Sequence, residues 1–173
     1  MEALNILVLD DNEEHRDSAA RQLVGHNVTI VGTYSEASKL LGAKQWDALL
    51  TDLNLPADGG DVCRPLTVDA QQALEGQEMP VGSILAFQAL QCGVKRVGVL
   101  TDANHHQSFS TCAVDWVGCD KNAIRFGDAR LFVSSKMTSN FYREMKEAGI
   151  PIPQEREKPW VMVLRILCSE TSD

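Results

Sequence analysis

Three short apolar runs each end in a group with chemistry to offer. Ile6-Leu7-Val8-Leu9 runs into Asp10 and Asp11, Ala48-Leu49-Leu50-Thr51 into Asp52, and Arg96-Val97-Gly98-Val99-Leu100 into Thr101. As strands of one parallel sheet, they deliver three carboxylates and a hydroxyl to the same edge. Clustered carboxylates repel one another in a partly dry cleft, so the arrangement calls for a hard divalent cation with oxygen ligands. A Mg²⁺ (or Mn²⁺) site is the chemistry this pattern invites.

Between these runs the periodicity changes to that of amphipathic helices, which predicts a doubly wound α/β sheet. Residues 5–9 read as the first strand and 13–25 as a helix, acidic in its first turn, with Ala19, Ala20, Leu23 and Val24 as its buried stripe. Val28 to Val31 reads as the second strand, and Ser35 as the cap of a helix over 36–44. After Pro56 the pattern fails, and 57–79 reads as an inserted excursion containing Gly59, Gly60, Pro65 and Gly76. Pro80 opens a helix with Ile84, Leu85, Phe87, Ala89 and Leu90 as its apolar face, and Gly93 ends it. A fourth strand spans 96–101, the segment 104–127 is irregular, and Leu131-Phe132-Val133 forms the fifth strand. A helix near 138–148, a proline-broken linker and an apolar helix over 159–168 follow, with 137–158 open as a further excursion. One domain over 1–173 is the expectation.

Composition narrows the function. A net charge of -8 opposes the attraction to phosphate backbones that nucleic-acid binders use. No apolar stretch approaches the ~20 residues of a membrane span, and the N-terminal sequence lacks a signal-peptide pattern, so a cytoplasmic protein with neither nucleic acid nor membrane as partner is expected. Five cysteines without a CxxC pair indicate neither a disulfide framework nor a thiolate zinc site. Cys112 and Cys119 lie near His105 and His106, but their spacing matches no metal finger. The two histidines read as solvated loop residues or as an extra ligand or proton carrier beside the cleft.

The runs ending in Asp10-Asp11-Asn12, in Asp52-Leu53-Asn54-Leu55-Pro56 and in Thr101 together resemble the receiver domain of two-component response regulators. The likeness is close over the first 56 residues and diluted beyond them. It implies a flavodoxin-like, five-stranded parallel sheet carrying insertions after strand three and after strand four or five. It further implies that Asp52 accepts a phosphoryl group, that Asp11, Asp52 and the Asn54 carbonyl ligate Mg²⁺, that Asp10 assists through water, and that Thr101 bonds a phosphoryl oxygen. A lysine should pair with another phosphoryl oxygen. Lys136 has the family's position after strand five, whereas Lys158-Pro159-Trp160 has its local sequence. Both remain candidates.

The chain departs from the family at Asp102, where a small residue is usual, and in lacking an aromatic three residues before either lysine, since Val133 and Glu155 stand there. The segments Gly76-Gln77-Glu78-Met79-Pro80 and Thr101-Asp102-Ala103-Asn104-His105-His106 also resemble divergent stand-alone receiver-like proteins. The resemblance implies a phosphorelay role, with a histidine kinase or phosphotransfer protein upstream, an unknown protein downstream, and at most self-phosphorylation and self-dephosphorylation as enzymatic activity. The alternative is a pseudo-receiver that binds proteins without being phosphorylated. A haloacid-dehalogenase-like phosphatase needs a second acid two positions beyond its nucleophile, and Asn12 stands there instead. Trp46 and Trp160 read as packing residues. The apolar content of 57–79 (Val62, Leu66, Val68, Leu74, Met79) predicts that it packs down over the acids.

Overall fold

The computed structural model describes residues 2–58, 76–102, 123–135, 139–150, 152–153 and 157–169. In chain order its elements are β1 (Asn5–Leu9), α1 (Glu13–Gln22), β2 (Asn27–Val31), α2 (Tyr34–Ala43), β3 (Ala48–Asp52), β4 (Leu55–Pro56), β5 (Glu78–Met79) and α3 (Val81–Gln91). There follow β6 (Arg96–Thr101), β7 (Ile124–Phe126), β8 (Ala129–Ser135), α4 (Ser139–Glu147) and α5 (Trp160–Cys168).

The main sheet has the order β2-β1-β3-β6-β8-β7. Its first five strands run parallel, and β7 closes the edge antiparallel to β8. Starting in the middle and winding outward both ways is the order of flavodoxin-like doubly wound sheets. Side chains alternate across such a sheet, so an unbroken apolar run feeds two cores at once. Leu7, Leu9, Leu49, Val97 and Val99 face α2 and α3, whereas Ile6, Val8, Leu50, Leu100 and Phe132 face α1 and α5. Gly98 is required by the second layer, because a Cβ there would stand 2.5 Å from Val163 Cγ1 of α5.

Five parallel strands were expected and five are present; the sixth, β7, was not expected. Its residues are all exposed and number only three, so no burial pattern marks them. The available signal was Gly127-Asp128, a two-residue hairpin turn with Gly127 at φ 58.

The helix ends also need correction. Thr33, not Ser35, caps α2: its hydroxyl oxygen accepts the Glu36 N–H, and it donates back to the Glu36 carboxylate at 3.1 Å. The Ser35 N–H goes instead to Asp58 at 2.8 Å. In α1 the buried stripe is His15, Ser18, Ala19 and Leu23; Ala20 and Val24 face solvent. Ile84 and Phe87 of α3 are likewise exposed, while Val81, Leu85, Ala86 and Ala89 are buried.

The excursion after Pro56 leaves and returns through a ribbon in which Leu55 pairs with Met79 and Pro56 with Glu78. The Ala57 N–H donates to Gln77 O at 2.8 Å and the Gly76 N–H to Ala57 O at 2.9 Å, which extends the clasp. Residues 59–75 lie outside the described residues. So do Lys136, His105, His106, Cys63, Cys112 and Cys119. Cys92 and Cys168 are free thiols. Among the described residues no helix is long and apolar enough to cross a membrane.

Candidate functional site

β1 and β3 are adjacent and in register from Ile6 opposite Ala48 to Leu9 opposite Thr51, so Asp10 and Asp52 leave the sheet side by side. The neighbouring β6 pairs Leu100 with Asp52 and ends one residue later at Thr101. In an open α/β sheet this carboxyl edge is where ligands bind. Carboxylate oxygens of Asp10, Asp11 and Asp52 all lie within 4.8 Å of one another. Asp10 and Asp52 are buried and Asp11 is exposed, so the cluster is covered from below and open toward solvent at Asp11. Asn54 sits half-buried two residues beyond Asp52, and Thr101 is buried at the end of β6.

Lys158 completes the cluster. Its ammonium, fully buried, donates to Asp10 Oδ2 at 2.6 Å and lies 2.9 Å from Asp52 Oδ2. The other oxygens are held from the backbone: Asp10 Oδ1 accepts the Asn12 N–H at 2.9 Å and Asp52 Oδ1 the Leu53 N–H at 2.7 Å. Of the two candidate lysines, Lys158 thus stands at the acids, and Lys136 lies outside the described residues.

Helix α1 puts the lysine there. Ser18 Oγ and Gln22 Nε2 donate to the Lys158 carbonyl at 3.3 and 2.9 Å, and Gln22 Oε1 accepts the Val161 N–H at 3.2 Å. The Trp160 indole donates to the His15 carbonyl at 3.0 Å, and its ring centroid is 5.6 Å from the Lys158 ammonium. Trp46, the other tryptophan read as packing, is buried with its indole donating to Leu40 O at 2.9 Å. The polar residues on the buried face of α1 therefore fix the chain on both sides of Lys158. Sequence reading missed Ser18 and Gln22, because polar residues within an amphipathic helix read as its wet side.

The opposite wall is backbone. Gly82 at the start of α3 donates its N–H to Leu53 O at 3.0 Å, and a Cβ at this position would stand 1.7 Å from the Asp52 carbonyl oxygen. Only glycine lets α3 begin this close to the acid.

Three carboxylates stand against one ammonium, and burial dominates the titration of the buried pair. Burial pushes Asp52 up to about 7; Asp10 and Asp102 add to the rise, and Lys158 opposes it. Burial also raises Asp10, again against the pull of Lys158. Burial works against the charge of Lys158, yet Asp52 and Asp10 outweigh it and hold the ammonium above the ordinary lysine range. Asp102 stands at the rim with about half of its side chain exposed, its Oδ2 3.5 Å from the Nε2 of buried His15. Neither ring nitrogen of His15 makes a hydrogen bond among the described residues.

The donor set is hard oxygen throughout, and a divalent cation matches the excess charge, so the residues fit Mg²⁺ or Mn²⁺. Together the strand order and the acid edge define a doubly wound domain of flavodoxin type with an acidic site at its topological switch. The fold is similar to that of a CheY-like response regulator receiver domain from Methylobacillus flagellatus, at 12% identity and a TM-score of 0.40, over 84% of this chain and 98% of that one. No protein-family model matches the chain, and no curated protein matches it.

Proposed function

We propose that this chain is a receiver-like signalling protein whose Asp52 accepts a phosphoryl group. The observation that carries this reading is the buried Lys158 ammonium bridging Asp10 and Asp52 at 2.6 and 2.9 Å beside the exposed carboxylate of Asp11. In such a reaction an Asp52 oxygen attacks phosphorus in line, the bond from phosphorus to the leaving group breaks on the far side, and an acyl phosphate remains on Asp52. Lys158, fixed by α1, offsets charge on the transferred group, and Thr101 offers its hydroxyl to a phosphoryl oxygen. Asp10, Asp11, Asp52 and the Asn54 carbonyl would hold Mg²⁺, which neutralises the phosphoryl oxygens when bound. Asp102 at the rim repels an incoming anion and slows the reaction. The donor is a histidine kinase, a phosphotransfer protein or a small acyl phosphate, and the output passes to a protein partner.

A second reading, the pseudo-receiver that only binds proteins, has its own support: every carboxylate oxygen of Asp10 and Asp52 already has a partner within the chain. Beryllofluoride with Mg²⁺ separates the two. Amide shifts at Asp52, Thr101 and Lys158 that vanish in Asp52→Asn support the acceptor, whereas an unchanged spectrum supports the pseudo-receiver.

A further inference from the structure

The loop from β1 to α1 has only three residues, Asp10, Asp11 and Asn12, and two of them are acids of the site. Bonds fix it at both ends. The Asp10 N–H donates to Val31 O of β2 at 3.2 Å, Asp10 Oδ1 accepts the Asn12 N–H, and Asn12 caps α1 by accepting the Glu14 N–H at 2.9 Å. Arg16 of α1 fixes the middle. Its Nη1 donates to the Asp10 carbonyl at 2.9 Å and to the Asp11 carbonyl at 2.6 Å. That nitrogen carries two hydrogens in the guanidinium plane, one for each oxygen.

Successive residues of an extended strand alternate in direction. Here two successive carbonyls converge on one nitrogen, so the guanidinium sets the turn that the backbone makes as it leaves β1. The fold leaves room for it. At Gly32, between β2 and the Thr33 cap of α2, a Cβ would stand 3.2 Å from Arg16 Nη1, and a larger residue would crowd the guanidinium off the carbonyls.

A guanidinium repels a divalent cation, so its place beside these acids needs a reason. Geometry supplies one. The carboxylates of Asp10 and Asp52 are gripped by Lys158 and by backbone N–H groups, whereas the grip on Asp11 is on its backbone carbonyl. Asp11 is also the exposed acid, with the most side-chain freedom to lose when a cation binds. Groups that aim a metal ligand strengthen binding without touching the ion.

We propose that Arg16 is a positioning residue for the divalent cation: by clamping the Asp10 and Asp11 carbonyls it aims the Asp11 carboxylate into the cluster, and it favours cation binding despite its own charge. This rests on the reading of the acids as a Mg²⁺ or Mn²⁺ site and adds to that site a residue that never meets the ion.

The test is calorimetric titration of the whole chain with MgCl₂ and with MnCl₂, comparing the native chain with Arg16→Gln, Arg16→Lys and Gly32→Ala. Charge and position predict opposite signs. If Arg16 acted by charge alone, Arg16→Gln would bind both cations more tightly, and the two variants that keep the charge would bind as the native chain does. Positioning predicts affinity lowered about tenfold in Arg16→Gln. Arg16→Lys should not restore it, because the shorter ammonium lacks the planar fork, and Gly32→Ala should show a smaller loss with the charge retained. Urea midpoints without metal reveal a variant that has lost its fold; should Arg16→Gln do so, Gly32→Ala decides, and native affinity there overturns the proposal. Native or tighter binding in a folded Arg16→Gln also overturns it and leaves the cation site standing. A native chain that binds neither cation overturns the cation site and the proposal together.

Discussion

The two edges of the parallel sheet answer the same electrostatic problem differently. At the carboxyl edge, like charges are buried, and the chain sends one buried lysine between two of them. At the amino edge, Arg96, Arg130 and Arg125 stand in one row as register partners, and Arg130 donates to the Ser169 carbonyl at the end of α5. Exposure explains the contrast. A buried uncompensated charge costs several kcal/mol and has to be answered internally, whereas one that reaches solvent is screened by water and salt. Substitutions at the acid edge should therefore cost far more stability than those at the basic edge.

The largest effect is expected from Lys158→Met, which keeps the length of the side chain and removes its charge. Two buried carboxylates would then face each other without a cation, at a cost of about 3–5 kcal/mol near pH 8 in urea denaturation. The loss should shrink near pH 5, where the carboxyls take up protons. A loss equal at both values would mean that packing, not charge, is what Lys158 provides.

Next comes pH itself. The folded-state value of Asp52, about 7, lies above its ordinary 3.8, and Asp10 is raised too, so the folded chain holds these protons more tightly than the unfolded one. Stability without metal should fall as pH rises from about 4 to about 7, by at most about 1.4 kcal/mol per unit for each group. Lys158, raised above 10.5, holds its contribution until strongly alkaline pH and does not alter this window. Saturating Mg²⁺ should flatten the slope, because the cation takes the place of the protons. A slope indifferent to Mg²⁺ would count against a metal at these acids.

A smaller effect belongs to Gln22→Ala. It removes the donor to the Lys158 carbonyl and the acceptor of the Val161 N–H, for a loss of about 1–2 kcal/mol. Because α1 would then hold the lysine less firmly, the Asp52 titration should move as well; an unmoved titration would show that Lys158 is positioned without α1. The smallest belongs to Arg96→Gln, with a stability change within about 0.5 kcal/mol and in the favourable direction, since it relieves repulsion along the row. A loss above 1 kcal/mol would give the arginines a structural role and weaken the contrast between the edges.

The acid edge was legible in sequence because its residues terminate strands that are apolar throughout. Runs such as Ile6–Leu9 and Ala48–Thr51 announce buried parallel strands, and whatever follows them must emerge at the edge. Lys158 was half legible. Its local sequence named it, but only the return of α5 to the sheet beside α1 shows that a residue so far along the chain reaches Asp10. The arginine row was not legible, because Arg96, Arg125 and Arg130 come from three strands whose register no local pattern specifies. The same holds for β7, which lacks a buried face, and for Ser18 and Gln22, whose polarity disguises their burial. Where the chain satisfies local rules its fold can be read; where long-range pairing brings charges together it cannot.

The claim that the acid edge is a phosphoryl acceptor is tested most directly by intact-mass measurement after treatment with acetyl phosphate and Mg²⁺. The account predicts a single phosphoryl adduct that forms slowly, faster in Asp102→Ala, and that is absent in Asp52→Asn and without divalent metal. An adduct that persists in Asp52→Asn, or none in the native chain with any acyl phosphate donor, would contradict it.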